Sequence, residues 1–90
     1  MKCINYLIFG KVQGVWFRAE TQKIANELGI KGWVKNLEDG RVEVLAQGTD
    51  KQLQQFREWL NHGPPKAEVE KIEAYESECL TDFEEFKITF

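Results

Sequence analysis

Hydrophobic and polar residues follow first a strand period and then a helical period along this 90-residue chain. An apolar run over 3–10 predicts a first strand, because it is rich in the Ile, Tyr, Leu and Phe that favour buried sheets. From Phe17 the apolar positions recur at helical intervals, which predicts a helix over 18–28 that ends at Gly29. Residues 30–36 then have the pattern of a second strand. The chain is thus predicted to begin as strand, helix, strand.

The next segment predicts a hairpin followed by a second helix. Asp39-Gly40 is a hairpin turn signal, and residues 41–47 alternate cleanly as a third strand. Thr49 and Gln52 have the spacing of a capping box, which marks the start of a helix. The glycine and prolines within 61–65 end that helix. Its predicted buried stripe is Leu53, Phe56 and Leu60, with Trp59 beside it.

Two further strands are predicted in the last part of the chain. In the fourth strand, over 67–75, the apolar phase slips between Val69 and Ile72, so we expect a bulge there. A short final strand is expected from the alternation of Phe86, Ile88 and Phe90. This order, βαββαβ plus a terminal strand, indicates an α+β ferredoxin-like fold: an antiparallel sheet with two helices on one face. We expect residues 1–90 to form one such domain.

Composition restricts the class of function. The formal net charge of −3 and the isoelectric point of about 5.2 disfavour a protein that binds a nucleic-acid backbone. No segment resembles a signal peptide or a membrane span, so we expect a cytoplasmic protein that does not bind membranes. A monomer is the simplest expectation. Because His and Cys residues lack metal-ligand spacing, we expect neither a metal nor a cofactor.

Cys3 and Cys79 are the only cysteines. Two cysteines are too few for a disulfide framework, so we expect both to behave as small apolar residues, buried or at a sheet edge. A disulfide bond that joins the first strand to a late strand is the alternative that the geometry allows.

Candidate chemistry lies between the first strand and the first helix, in the stretch Gly10-Lys-Val-Gln-Gly-Val-Trp-Phe-Arg18. A strand, a glycine loop and a helix N-terminus together make an anion site, because backbone N–H groups point at the ligand and the helix end adds partial positive charge. Arg18 adds a planar guanidinium that matches phosphate oxygens.

The predicted βαβ crossover brings Asn36 close to this glycine loop. In a βαβ unit the two strands run the same way, so their carboxyl ends lie along one edge of the sheet. One end carries the loop 13–18 and the other carries Asn36. A neutral amide can orient a water molecule without repelling an anionic substrate. A site without a metal or a strong base suits a good leaving group, such as the carboxylate of an acyl phosphate.

The same residues resemble the signature of the acylphosphatase family, G-x-V-Q-G-V-x-F-R, and Gly32-Trp-Val-Lys-Asn36 is similar to its second motif. The resemblance implies a metal-independent hydrolase of acid anhydrides, which cleaves acyl phosphates to a carboxylate and inorganic phosphate, the latter also an inhibitor. Arg18 would then be the catalytic, phosphate-binding arginine, and Asn36 would orient the attacking water. The implied phosphate-binding loop consists of Gln13, Gly14, Val15, Trp16, Phe17 and Arg18.

Two positions depart from the family pattern, and one rival function remains. Trp16 fills a position that is often smaller, and Arg41 stands where many relatives carry Ser or Thr. Ferredoxin-like folds host many functions, so the rival is an anion-binding module with little turnover. Metal carriage is disfavoured because no Cys-x-x-Cys is present, and RNA binding because the middle strands lack paired aromatic and basic residues. A hydrolysis assay separates an enzyme from a binding module.

Overall fold

The computed structural model describes residues 1–89, with five strands and two helices in the predicted order. The elements are β1 (Lys2–Lys11), α1 (Phe17–Leu28), β2 (Lys31–Asn36), β3 (Val42–Gly48), α2 (Asp50–Leu60), β4 (Glu68–Ser77) and β5 (Phe86–Thr89). Each predicted element is confirmed, and the predicted bounds lie within a few residues of the observed ones. Phe90, which we included in the final strand, lies outside the described residues.

The strands form one sheet in the order β4-β1-β3-β2-β5. β3 is antiparallel to both β1 and β2, so β1 and β2 run the same way, as the crossover predicts. β5 pairs in parallel with β2, so the sheet is mixed rather than wholly antiparallel as we expected. This parallel pair arises because residues 78–85 cross the end of the sheet between its two edge strands. The predicted bulge in β4 is confirmed: the register with β1 shifts so that Glu70 has no partner residue.

Both helices pack on one face of the sheet. The ring of Phe56 in α2 contacts Tyr6 of β1 and Phe86 of β5 edge-on, each at a centroid distance of 6.1 Å. Phe17 of α1 packs on Trp59 of α2 at 5.8 Å. Burying each such side chain contributes roughly 1.5–3 kcal/mol, so this aromatic layer is a main source of stability. The predicted stripe of α2 is buried as expected: Leu53, Phe56 and Leu60.

Cys3 and Cys79 form a disulfide bond, so our expectation of two separate apolar residues was wrong. Their Cα atoms are 5.3 Å apart. Cys79 lies in the crossing segment 78–85, and the side chain of Gln47 in β3 anchors the same segment by accepting a hydrogen bond from the Phe83 N–H at 3.1 Å. Cys3 and Gln47 are register partners on neighbouring strands, so they share one face of the sheet. The adjacent Ile4 and Ala46 pack in the core under the helices, so both anchors lie on the opposite face. The spacing of the two cysteines along the chain does not reveal that the segment 78–85 passes close to the first strand.

Candidate active site

The loop between β1 and α1 has the backbone of an anion site. Gly14 and Trp16 adopt φ angles of 73° and 66°, in the left-handed region. In the described part of the chain, no backbone carbonyl accepts a hydrogen bond from the N–H groups of residues 13–16. Trp16 caps α1 without any side-chain hydrogen bond, so no cap occupies the first N–H groups of the helix. Such N–H groups, with the partial positive charge of a helix end, bind anions.

Arg18 lies in the first turn of α1 and its side chain is half-buried. Its Nη1 makes a long contact of 3.5 Å to the carbonyl oxygen of Thr89 in β5. One turn further on, Gln22 donates from Nε2 to the carbonyl oxygen of Phe86 at 3.0 Å, which ties α1 to the same strand. β5 therefore helps to fix the direction of the guanidinium.

Asn36 is the last residue of β2 and pairs with Val42 of β3. Its Oδ1 atom is buried and accepts no hydrogen bond from residues 1–89. Buried polar atoms in folded proteins almost always have a hydrogen-bond partner. An amide oxygen needs a donor, so this atom is suited to accept from the O–H of a bound water.

Gln13 joins the phosphate loop to the turn that follows Asn36. Its Nε2 donates to the carbonyl oxygens of Leu37 at 2.7 Å and Arg41 at 2.9 Å. These two bonds hold the β2–β3 turn against the loop, so the backbone rather than the side chain of Gln13 is left to bind an anion. The sequence indicated the position of Gln13 but not this bridging role.

The loop, the arginine and the asparagine surround one cavity of about 400 Å³. The residues that line it are Val12, Gly14, Trp16, Phe17, Arg18, Ala19, Asn36 and Ile88. Most of the predicted site is therefore brought together, whereas Gln13 faces the hairpin and Val15 belongs to the core. Sequence reasoning missed three lining residues, including Ile88. The alternating pattern around Ile88 predicted a strand, but the position of that strand beside β2 depends on the crossing segment 78–85.

Two charged side chains near the β2–β3 turn, those of Asp39 and Arg41, pair with each other and do not line the cavity. Arg41 Nε lies 2.8 Å from Asp39 Oδ2, and this hydrogen bond lowers the pKa of the Asp39 carboxyl and raises the pKa of Arg41. The Arg41 guanidinium also lies 5.4 Å from the ring centroid of Phe9. Within residues 1–89, no group of three or more His, Cys, Asp or Glu side chains could hold a metal ion. No helix in this range is long and apolar enough to cross a membrane.

Comparison with known proteins identifies close relatives over the whole fold. The acylphosphatase family matches residues 4–88. The chain is 47% identical over 85 residues to an acylphosphatase of Marinobacter nauticus, covering 94% of this chain and 92% of the relative. It is 48% identical over 86 residues to one of Acaryochloris marina, covering 96% and 91%. Among solved structures, the crystal structure of acylphosphatase from Bacillus subtilis superposes with a TM-score of 0.96 at 40% identity, covering 100% of both chains.

Proposed function

Because the chain belongs to the acylphosphatase family and hydrolyses acyl phosphates, we propose that Arg18 binds the phosphoryl group and that Asn36 orients the attacking water. The observation that carries this proposal is the presence of both side chains in one cavity. The unpartnered buried Oδ1 of Asn36 supports the second role, because it supplies an acceptor for a water O–H.

The phosphoryl group of the substrate binds to the loop through backbone N–H groups of residues 13–17. These donors match the equatorial oxygens of a phosphate, and they need no reorganisation when negative charge develops. Arg18 adds two parallel donors and a full positive charge. We include Gln13 and Val15 in this loop for their backbone alone, since their side chains face the hairpin and the core.

Hydrolysis then requires one displacement at phosphorus. The water held by Asn36 attacks phosphorus, a new P–O bond forms, and the bond between phosphorus and the acyl oxygen breaks. The bonding electron pair leaves with the carboxylate. The proton of the water passes to a phosphate oxygen, so inorganic phosphate is released. Because a carboxylate is a good leaving group, positioning and charge stabilisation account for the rate without a strong base.

Two substitutions test the assigned roles, with benzoyl phosphate as substrate. Arg18→Ala should lower kcat/KM by about 10³-fold and abolish inhibition by inorganic phosphate, since it removes charge from both substrate and transition state. Asn36→Ala should lower kcat by about 10²-fold and keep phosphate inhibition, because the water contacts only the attacking side. Arg57→Ala and Asn26→Ala serve as matched controls away from the cavity and should retain wild-type rates.

Each role has a clear contrary result. Near-wild-type activity of Asn36→Ala would remove that residue from the mechanism. Unchanged phosphate inhibition in Arg18→Ala would do the same for the arginine. A wild-type protein that binds phosphate but does not turn over benzoyl phosphate would favour the anion-binding module. We also expect EDTA to leave the rate unchanged, and a rate restored only by added metal would contradict a metal-independent reaction.

The state and location of the enzyme are also part of the proposal. We propose a monomer, because a single chain supplies all the lining residues named above; light scattering of the purified protein tests this. We propose a cytoplasmic location on composition alone. Since cytosolic thiol systems keep most cysteines reduced, Cys3 and Cys79 should then be thiols in the cell. Alkylation of thiols before lysis, followed by mass spectrometry, measures that state.

A further inference from the structure

Trp16 lies at the cavity, yet it has no structural reason to be a tryptophan. Its side chain is 75% exposed, and within residues 1–89 it belongs neither to the hydrophobic core nor to a ring–ring contact. An exposed indole gains little from burial in the fold. The stability of the protein therefore does not explain the choice of this side chain.

The backbone conformation of Trp16 makes the presence of a tryptophan there more informative. Among residues 1–89, Trp16 is the one non-glycine residue with positive φ, at 66°. Glycine or asparagine adopts this conformation readily, whereas a bulky side chain is disfavoured there. The conformation itself serves the loop, because alternating left-handed residues turn N–H groups toward an anion. The loop therefore explains the positive φ, but it does not explain a tryptophan at a position that disfavours bulky side chains, so we look for a role of the indole itself.

The rest of the cavity indicates what that role is. Of the lining residues within 1–89, Arg18 and Asn36 have polar side chains, and the other lining side chains in this range are apolar, including Val12, Trp16 and Ile88. A cavity of about 400 Å³ is within the range that holds organic ligands larger than a phosphate group. Once Arg18 and the loop hold the phosphoryl group, the remaining wall available to the acyl group is apolar.

We propose that Trp16 is a specificity-determining residue that stacks on the acyl group of the substrate, so that the enzyme prefers acyl phosphates with an aromatic acyl group. This inference rests on the proposed function, because it assumes that the phosphoryl group occupies the loop. A flat ring adjacent to the indole gains both dispersion and offset stacking, and a methyl group gains little of either.

The test compares benzoyl phosphate with acetyl phosphate in the wild type, Trp16→Ala and Trp16→Phe. For Trp16→Ala we expect the ratio of kcat/KM for benzoyl phosphate to kcat/KM for acetyl phosphate to fall about tenfold, because both substrates use the phosphate loop and only one has a ring. Inhibition by inorganic phosphate reports separately on the loop, since phosphate lacks an acyl group. Trp16→Phe should keep most of the preference. Comparing the ratio of the two substrates between the wild type and each variant cancels their different intrinsic reactivities.

A second measurement needs no variant. Phenylphosphonate and methylphosphonate present the same anion with and without a ring, and we expect phenylphosphonate to inhibit the wild type about tenfold more strongly. Equal inhibition by the two, or an equal fall for both substrates in Trp16→Ala, overturns the role of Trp16. If the wild type hydrolyses neither substrate, the proposed function fails instead, so the two failures are distinguishable.

Discussion

Reduction of the bond between Cys3 and Cys79 should destabilise this fold by several kcal/mol while leaving its non-covalent contacts in place. The bond joins residues separated by 76 positions. In the chain-entropy model, closing a loop of that size restricts the unfolded chain by about 4.5 kcal/mol. Since domains of this size are stable by roughly 5–15 kcal/mol, the bond accounts for a large share of the total.

Urea unfolding followed by circular dichroism, with and without dithiothreitol, measures this contribution. We expect the free energy of unfolding to fall by about 4 kcal/mol on reduction, which lowers the urea midpoint by about 1.3–4 M for an m-value of about 1–3 kcal/mol/M. Cys3→Ala/Cys79→Ala is the matched control: it should unfold like the reduced protein and should not respond to dithiothreitol. Without urea the reduced enzyme should keep its rate, because neither cysteine lines the cavity.

A loss smaller than about 1 kcal/mol would refute the loop-closure reasoning, because some other effect would then offset nearly all of the entropy of closing this loop. Two reactive thiols in purified protein that has been treated with oxidised glutathione would refute the bond itself. A double variant that still responds to dithiothreitol would show that the reductant acts elsewhere.

Two further predictions concern stability. Gly32→Ala should destabilise the protein by roughly 2–4 kcal/mol in urea unfolding, since its Cβ would overlap the carbonyl oxygen of Leu45 in β3. Gly40→Ala, at a φ of 96° but in open space, should cost only about 1 kcal/mol, and equal losses would contradict the steric argument. Arg41 lowers the pKa of Asp39 below its ordinary value of 3.8, so the ion pair stabilises the fold above that pH and its contribution is lost as the pH falls through the folded-state pKa. The urea midpoint of Asp39→Asn should therefore lie below that of the wild type at pH 7, and the difference should shrink as the pH falls through the folded-state pKa of Asp39. A constant difference would exclude this ion pair as the cause.

Much of the fold could be predicted because its signals are local. The helical stripe after Phe17, the capping box at Thr49 and the turn at Asp39-Gly40 each depend on a few neighbouring residues, and the structure has all three elements. The meeting of Arg18 and Asn36 also followed from a general rule, because a crossover unit brings two strand ends to one edge.

The remainder could not be predicted because it depends on contacts between distant segments. The disulfide and the parallel pairing of β5 both require the path of residues 78–85 across the sheet, which no local pattern encodes. The role of Gln13 is similar: its side chain finds two carbonyl oxygens on a turn far along the chain. Ile88 was assigned to a strand correctly, but its place in the cavity depends on the neighbour of that strand.

Most of the residues that line the cavity belong to the first βαβ crossover, and this has a consequence for the evolution of the enzyme. Of the described residues that line the cavity, all except Ile88 precede β3, and α2 and β4 supply none. Selection for catalysis therefore acts mainly on the residues before β3, whereas selection for folding acts on both parts of the chain, because β1, α1 and β2 supply core residues as α2 does. Surface positions of α2 and β4 are thus little constrained by catalysis. A protein engineer can randomise them to improve solubility and retain the activity.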